Sequence, residues 1–385
     1  MKGDLNNMKR ILAVLLMLAI LLCGMTVTAS AASPWNQDAD GNWTYTKADG
    51  TLATDEWIKY GGKWYYFYGT IMLQDISWEI DDVWYAFDKS GAMANNGWIQ
   101  CRWTYSEGAS PEWYYANKDG SLVKGWKKID GKWYYFYGGQ EEETYWDPYM
   151  YSGMVMEIGE KEYAFAKSGE MVVGWGQPWK GKEVENPDAW VYANPDGSLV
   201  RDSWAKVDGK WYYFNGITMI YNVVWPFVDG KPGFDENAVF YAFNKSGAMV
   251  DGAWYEYTYD DGQDSFWFYA TKGGALKKGW LKDGGKWYYL DDDWCEMYAD
   301  CMVEMSDGKT YGFKKNGEMA IGWWEFAFAG DWYYFSTSGA MVEKDWVQTG
   351  GKWYYLKEGG AMAKSETLTI DGKDYTFGAD GALVK

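Results

Sequence analysis

The residues of this chain best suited to chemistry are tryptophans that recur in pairs, seven positions apart. Five such pairs run through the sequence: Trp57 and Trp64, Trp126 and Trp133, Trp204 and Trp211, Trp280 and Trp287, Trp346 and Trp353. An indole face attracts a cation through its quadrupole, and it also packs against the C–H face of a sugar ring. Three rings from neighbouring hairpins could therefore form an aromatic cage around a quaternary ammonium group, or stack on sugars.

Residues for most catalytic chemistry are missing. The chain contains no histidine, which excludes Ser-His-Asp and Cys-His nucleophiles and the usual zinc sites. It has no glycine loop of the kind that binds phosphate, and its acidic residues are scattered instead of gathered in one unique domain, as a two-carboxylate glycosidase would require. The acidic runs 141–143 and 291–293 lack the ligand spacing of a calcium loop. We expect no enzyme, no metal and no cofactor.

The elements that must position the tryptophans are β-hairpins. Residues 126–136 read W-K-K-I-D-G-K-W-Y-Y-F, in which a glycine separates two apolar runs and the second run consists of strong strand formers. Side chains alternate along a strand, so Trp133 and Tyr135 should face one side, and Tyr134 and Phe136 the other. One face could then pack while the other stays free to bind.

Hairpins of three kinds follow one another in a fixed order. The first kind carries its aromatic run at Trp43, Trp113, Trp190, Trp267 and Trp332; the second at Trp64, Trp133, Trp211, Trp287 and Trp353; the third at Trp84, Glu162, Phe240, Thr310 and Asp374. The resulting fifteen hairpins form five triplets. Because a single hairpin is not stable alone, such repetition predicts an all-β solenoid in which each hairpin buries its apolar face against its neighbours.

Extra residues interrupt the repeats at a few places, namely 104–112, 138–155, 176–189, 217–237 and 255–265. Most of them are polar or acidic, so we expect solvated surface loops. Three cysteines lie in the repeat region, and this odd number excludes a disulfide framework. Cys295 and Cys301 could bridge a local loop and leave Cys101 free, or all three could be buried thiols.

Residues 1–32 predict a signal peptide. Lys9 and Arg10 precede the apolar run 11–23, which is followed by small residues at 29–31. We expect export, a repeat domain over 33–385 and no membrane span in the mature chain, because the run is too short and no second apolar stretch follows. Cleavage would leave 33 basic and 54 acidic residues, a net charge of −21. That charge argues against nucleic acid as a partner.

The pattern G-W, several polar residues, W-Y-Y-F and G-x-M resembles the choline-binding, or cell-wall-binding, repeats of bacterial surface proteins and autolysins. It is also similar to the glucan-binding repeats of extracellular glucosyltransferases and to the C-terminal repeats of large secreted toxins. The resemblance covers residues 35–385. It implies a left-handed solenoid with about three hairpins per turn and ligands held between consecutive hairpins.

The resemblance also implies which rings form each cage. The five cages would be Trp57, Trp64 and Tyr85; Trp126, Trp133 and Tyr163; Trp204, Trp211 and Tyr241; Trp280, Trp287 and Tyr311; Trp346, Trp353 and Tyr375. A second set would use Trp98 with Trp113, Trp175 with Trp190, Trp254 with Trp267 and Trp323 with Trp332. The third hairpin kind keeps its strand tryptophan only at Trp84, so we expect the cages centred on this kind to be lost.

Together these features predict a secreted, non-catalytic protein of the bacterial cell surface. Its partner would be choline-bearing teichoic acid or a related cell-wall polymer. One cage binds weakly, in the millimolar range, but five cages on a repeating polymer would raise the avidity about 10²-fold to 10⁴-fold. Two alternatives stay open: an array that binds a glucan or host glycan, and a structural spacer or adhesin scaffold whose rings are all buried.

Overall fold

The computed structural model describes residues 33–102, 110–138, 147–258, 265–326 and 330–384. These residues divide into two compact units, one ending at Leu199 and the other beginning at Val200. Within the described ranges every regular element is a strand, and no helix long and apolar enough to cross a membrane is present. The predicted signal peptide lies outside the described residues and stays a prediction.

The first unit contains fifteen strands in its described residues. They are β1 (Trp35–Gln37), β2 (Trp43–Tyr45), β3 (Trp57–Tyr60), β4 (Lys63–Tyr68), β5 (Ile71–Met72), β6 (Ile76–Ile80), β7 (Val83–Phe87), β8 (Gly97–Cys101), β9 (Glu112–Ala116), β10 (Gly125–Ile129), β11 (Lys132–Phe136), β12 (Met154–Ile158), β13 (Lys161–Phe165), β14 (Gly174–Gly176) and β15 (Val191–Ala193).

The second unit contains eighteen strands in its described residues. They are β16 (Ser203–Val207), β17 (Lys210–Asn215), β18 (Thr218–Met219), β19 (Val223–Val228), β20 (Lys231–Pro232), β21 (Val239–Phe243), β22 (Trp254–Thr258), β23 (Ser265–Tyr269), β24 (Gly279–Asp283), β25 (Lys286–Leu290), β26 (Cys301–Glu304), β27 (Thr310–Phe313), β28 (Gly322–Phe326), β29 (Asp331–Phe335), β30 (Asp345–Thr349), β31 (Lys352–Leu356), β32 (Thr367–Ile370) and β33 (Lys373–Thr376).

The described strands form fifteen antiparallel sheets, each built on one hairpin. Three of these sheets also carry a short third strand, which is β5, β18 or β20. The predicted all-β fold of about fifteen hairpins is therefore confirmed. The number of hairpins per superhelical turn stays a prediction.

Local chemistry explains the hairpin turns. In the hairpin of β10 and β11, Ile129 pairs with Lys132, which leaves a two-residue turn of Asp130 and Gly131. Both turn residues have positive φ angles, 48° and 83°. This is a type I′ turn, whose twist matches that of the flanking strands and which favours Asp-Gly because both residues tolerate the left-handed region. The two strands therefore continue in register on either side of the turn.

A methionine that follows most hairpins links three consecutive hairpins. Met171 follows β13, and its backbone N–H donates to the carbonyl of Trp133 in the preceding hairpin at 2.7 Å. Its side chain packs on Gly197, which belongs to the turn after β15 in the following hairpin. Gly197 has a φ of 86°, and a Cβ there would lie 2.3 Å from the sulfur of Met171. The glycine is therefore required by conformation and by space.

The core is a series of small clusters between hairpins instead of one large core. In one of them Phe136 is fully buried and packs with Val123, Ile129 and Met150. The expectation that one face of this strand stays free to bind is wrong at Tyr135, which shares a face with Trp133 but is only 4% exposed. The reason is that Tyr151, from the insertion 138–155, covers Tyr135 with its ring centroid 5.2 Å away.

The expectation of solvated insertions is also wrong for the described part of 138–155. Asp147 is buried and accepts hydrogen bonds from the hydroxyls of Ser77, at 2.8 Å, and Tyr114. Burial raises the pKa of Asp147, because the charged carboxylate loses its hydration. Aromatic and hydrogen-bonding residues thus draw this insertion into the core.

The cysteines are free thiols in the structure. Cys101 and Cys295 are buried and Cys301 is partly buried. No bridge joins Cys295 to Cys301, so the interpretation as packed thiols describes them better. Burial raises the pKa of the Cys295 thiol to about 11, which keeps it protonated and unreactive near neutral pH.

Candidate aromatic binding sites

The structure brings together the rings of the predicted trios, each formed by a first-strand tryptophan, a second-strand tryptophan and a tyrosine of the next hairpin. Around Trp126, the ring centroid of Trp133 lies at 6.3 Å and that of Tyr163 at 4.8 Å. Trp126 pairs with Tyr135, and Trp133 with Lys128, so the two tryptophans are diagonal neighbours on one face of the hairpin. The sequence spacing of seven produces this contact.

Three of the other trios repeat this geometry, and in the fourth the contact between the first tryptophan and the tyrosine is repeated. In the trio of Trp57, Trp64 and Tyr85, the ring centroid of the first tryptophan lies 6.4 Å from that of the second and 4.9 Å from that of the tyrosine. The corresponding distances are 6.2 Å and 4.9 Å in the trio of Trp280, Trp287 and Tyr311. They are 6.5 Å and 4.9 Å in the trio of Trp346, Trp353 and Tyr375. In the trio of Trp204, Trp211 and Tyr241, Trp204 lies 5.1 Å from Tyr241.

The rings of a trio meet edge to face instead of stacking. The measured tryptophan pairs cross at 83° to 89°, and the tryptophan and tyrosine at 67° to 72°. The five second-strand tryptophans are 39% to 44% exposed, while the first-strand tryptophans are partly buried. Rings that face in different directions, with one of them open to solvent, suit the enclosure of a compact group.

Buried residues hold the trio from behind. Phe165, fully buried, lies 5.9 Å from Trp126 with the rings tilted by 34°. Met171 is tied to the backbone of Trp133 by the hydrogen bond described above. Sequence reasoning did not place either residue at the site, although the recurring G-x-M pattern was a signal for the methionine.

The second set of tryptophan pairs also acquires a third ring. Trp98 lies 6.3 Å from Trp113 and 5.0 Å from Tyr134. The tyrosines Tyr288 and Tyr354 stand in the same way near Trp254 and Trp323, at 5.0 Å and 4.9 Å. Sequence reasoning missed these three tyrosines, which a rule applied to every hairpin would have found, since each follows the strand tryptophan of the next hairpin.

One site of the second set is an open cavity of about 420 Å³. Its aromatic walls are Trp323, Trp332 and Tyr354, and Met362 also lines it. Glu325, Lys364 and Asp380 supply charged groups at its edge. The cavity thus combines a trio, the linking methionine and a carboxylate.

The third hairpin kind does not offer an open ring. Trp84 is only 7% exposed and packs with Ile99 and Tyr114 in a core cluster. Phe240, at the equivalent position, is buried as well. The strand tryptophan that survives in this kind is therefore a core residue, and the third kind contributes its tyrosine to the preceding trio.

The charge beside the exposed tryptophan differs between hairpin kinds. A lysine lies directly across the hairpin from Trp64, Trp133, Trp211 and Trp287. These four ammonium groups, of Lys59, Lys128, Lys206 and Lys282, lie 5.4 to 5.9 Å from the centroids of the rings. The partner is Glu256 for Trp267 and Glu325 for Trp332. Sites of similar shape therefore carry opposite local charge.

The acidic run 291–293 serves to order a loop. The Asp291 carboxylate accepts hydrogen bonds from the backbone N–H of Asp293 and Trp294 and from the hydroxyl of Tyr298. Within the described ranges, no group of three or more His, Cys, Asp or Glu side chains is arranged to hold a metal ion. The run 141–143 lies outside the described residues.

Comparison with known proteins identifies the repeats. A choline-binding family model, described as a cell wall binding repeat, matches residues 55–70, 124–139, 202–216, 278–293, 324–341 and 344–362. Five of these six stretches contain the five tryptophan pairs. The matches therefore fall on the hairpins that build the trios.

Relatives that match most of the chain include glucosyltransferases. Glucosyltransferase-I of Streptococcus downei is 28% identical over 80% of this chain and 24% of its own length, and Glucosyltransferase-S of Streptococcus mutans is 24% identical over 73% of this chain and 17% of its own length. The chain thus spans less than a quarter of the length of these curated relatives.

Solved structures with similar repeats come from Streptococcus pneumoniae. The modular autolysin LytC is 26% identical, covers 68% of this chain and 52% of its own, and has a TM-score of 0.36. The choline-binding domain of CbpL is 26% identical, covers 56% of this chain and 98% of its own, and has a TM-score of 0.35. Six stretches of the chain are therefore repeats of the choline-binding, or cell-wall-binding, family.

Proposed function

We propose that this chain is a non-catalytic cell-wall-binding protein of the bacterial surface, which holds a wall polymer through its aromatic trios. Its main ligand is the quaternary ammonium of choline carried by teichoic acid or a related polymer. The observation that carries the proposal is the repetition of one open, edge-to-face trio along the chain. Export by the N-terminal segment 1–32 is part of the same proposal.

The size of the expected affinity fits a polymer ligand. A cation–π contact contributes about 0.5 to 2 kcal/mol, so three rings hold one ammonium group with a Kd in roughly the millimolar range. Several sites on one chain, acting on a polymer with repeated choline groups, raise the avidity by about 10² to 10⁴. The net charge of −19 for the full sequence also favours a cationic ligand over an anionic one.

The absence of histidine from the sequence supports a binding role over a catalytic one. The repeats and their insertions together account for the region from residue 33 onward. The activity named for the glucosyltransferase relatives is not transferred, because the match covers only a small part of their length.

A glucan is the second candidate ligand, and one observation favours it at particular sites. A lysine ammonium lies within 6 Å of the exposed ring in four of the five predicted trios. A fixed positive charge beside the ring lowers the affinity of the site for a second cation, whereas it leaves the affinity for a neutral sugar unchanged. The match with glucosyltransferases points to the same class of ligand.

Retention of the purified protein on a choline resin and on an α-glucan resin tests the proposal. Replacement of the five exposed tryptophans, Trp64, Trp133, Trp211, Trp287 and Trp353, by alanine should strongly weaken retention on choline, because only the sites of the second set would remain. Trp294→Ala is the matched control on the choline resin, because Trp294 is exposed but lies outside the trios; it should be retained on choline like the wild type. Undiminished retention of the five-tryptophan variant on choline would refute the trios as sites. Retention of the wild type on glucan alone would show that the second candidate, not choline, is the ligand.

A further inference from the structure

The two most exposed aromatic side chains among the described residues lie outside the trios. Phe234 is 66% exposed and Trp294 is 55% exposed, more than any second-strand tryptophan. Their ring centroids are 5.4 Å apart and the rings are tilted by only 37°. We call this pair the aromatic platform, and we propose that it is a separate binding site for a neutral oligosaccharide, which stacks the flat C–H face of a sugar ring on it.

The platform is not part of the repeat. Phe234 follows β20 in the insertion 217–237, and Trp294 lies between β25 and the methionine that links the hairpins. Two segments far apart in sequence thus place their exposed rings side by side. A large apolar surface left in water in this way marks a contact site more often than a packing feature.

Buried residues make the platform rigid. Phe240, which is itself buried, meets Phe234 edge to face at 6.1 Å and Trp294 at 6.2 Å. The backbone N–H of Trp294 donates to the Asp291 carboxylate at 2.7 Å, and the next residue, Cys295, is fully buried. Rings that are already held in place lose little conformational entropy on binding, which favours affinity for a weakly held ligand such as a sugar.

The ring geometry distinguishes a sugar from a quaternary ammonium group. In the trios the tryptophan pairs cross at 83° to 89°, so that the rings surround a compact cation. The planes of the platform rings are closer to parallel, with a tilt of 37°, so these two rings do not enclose a compact group in the same way. A cation already lies beside the buried ring of Phe240, which contacts both platform rings: the ammonium of Lys278 is 5.4 Å from its centroid. The platform is therefore better suited to a flat, uncharged partner.

The rim of the platform supports the same choice. Asp235 and Glu236 follow Phe234, Asp292 and Asp293 precede Trp294, and all four are exposed. Their carboxylates can accept hydrogen bonds from sugar hydroxyls. The same charges repel an anionic polymer, so among glycans they favour a neutral one.

Isothermal titration of the purified protein with cello-, isomalto- and chito-oligosaccharides tests this site. We expect at least one of these oligosaccharides to bind. Trp294→Ala and Phe234→Ala should each lower the affinity for it about tenfold, which is the loss that truncation of an aromatic anchor typically causes. Trp294→Phe, which keeps a flat ring, should retain most of the affinity. The ¹⁹F signal of fluorotryptophan at Trp294, assigned by its absence from Trp294→Phe, should shift on binding.

The five-tryptophan variant of the trios separates this proposal from the proposed function, since it should still bind the oligosaccharide. Three results would overturn the platform site. The first is that none of the three oligosaccharides binds, and the second is that Trp294→Ala binds them as well as the wild type does. The third is a dimer in analytical ultracentrifugation that Trp294→Ala converts to a monomer, because this would identify a second copy of the chain as the occupant. Melting temperatures of the variants verify that they are folded.

Discussion

The contact between Met171 and Gly197 should determine how firmly consecutive hairpins are joined, and Gly197→Ala tests it. The substitution has two costs. A side chain at a φ of 86° costs about 1–3 kcal/mol of backbone strain. The added Cβ would also lie 2.3 Å from the Met171 sulfur, and relieving such overpacking costs about 1–3 kcal/mol more. We therefore expect the free energy of unfolding to fall by about 2–6 kcal/mol.

Gly131→Ala is the matched control. Gly131 has nearly the same φ, 83°, but no atom lies within 4 Å of where its Cβ would be. It should therefore show only the cost of backbone strain. The difference between the two variants isolates the contact with Met171, about 1–3 kcal/mol. A double-mutant cycle of Gly197→Ala with Met171→Ala should recover a coupling of the same size, because the shorter side chain leaves room for the new methyl group.

Urea unfolding followed by circular dichroism gives these free energies, provided that the slope m is unchanged between variants. A fall in m would mean that the hairpins no longer unfold together, which is itself expected when the contact between neighbouring repeats is weakened. Choline titration of Gly197→Ala should show a weaker site at Trp126 and Trp133, because Met171 is displaced. Equal stability of Gly197→Ala and Gly131→Ala would refute the reasoning.

Three further perturbations separate binding from stability. Trp133→Ala should remove one choline site and lower the free energy of unfolding by only about 1 kcal/mol, because its ring is exposed, whereas Phe136→Ala on the same strand should lower it by about 3–5 kcal/mol. Calorimetry gives the number of choline sites and urea unfolding gives the free energies. Equal destabilisation by the two substitutions would contradict the assignment of faces. Glu325→Gln should lower the affinity of its site for choline about threefold at low salt, since a charge at roughly 6 Å in water contributes about 0.7 kcal/mol. An unchanged affinity in a choline titration would show that the carboxylate does not face the ligand. Burial raises the pKa of Asp147, so the folded state holds its proton more tightly than the unfolded state. The stability of the wild type relative to Asp147→Asn should therefore increase as the pH falls through the raised pKa towards the ordinary value of about 3.9, and decrease as the pH rises. Urea unfolding of both proteins at several pH values measures this difference in stability. A difference that stays constant with pH would contradict the prediction.

The sequence by itself determined the hairpins and the partners within each trio. A two-residue Asp-Gly turn between strand-forming runs defines a register from local geometry alone, and that register makes Trp126 and Trp133 diagonal neighbours. The repeat then carries the same relation to every hairpin of the kind. Even the third ring was predictable, through the family resemblance, because consecutive hairpins stack in the same way.

Only the tertiary structure decided which aromatic rings are open to solvent. Tyr135 lies on the same face of its strand as Trp133, yet it is buried because Tyr151 covers it from a later insertion. Phe234 and Trp294 meet although their segments are distant in sequence. Burial depends on which other segment packs over a ring, and local propensity and periodicity contain no information about that segment. Exposure, and with it the location of the platform, therefore emerges only when the insertions are placed on the hairpins.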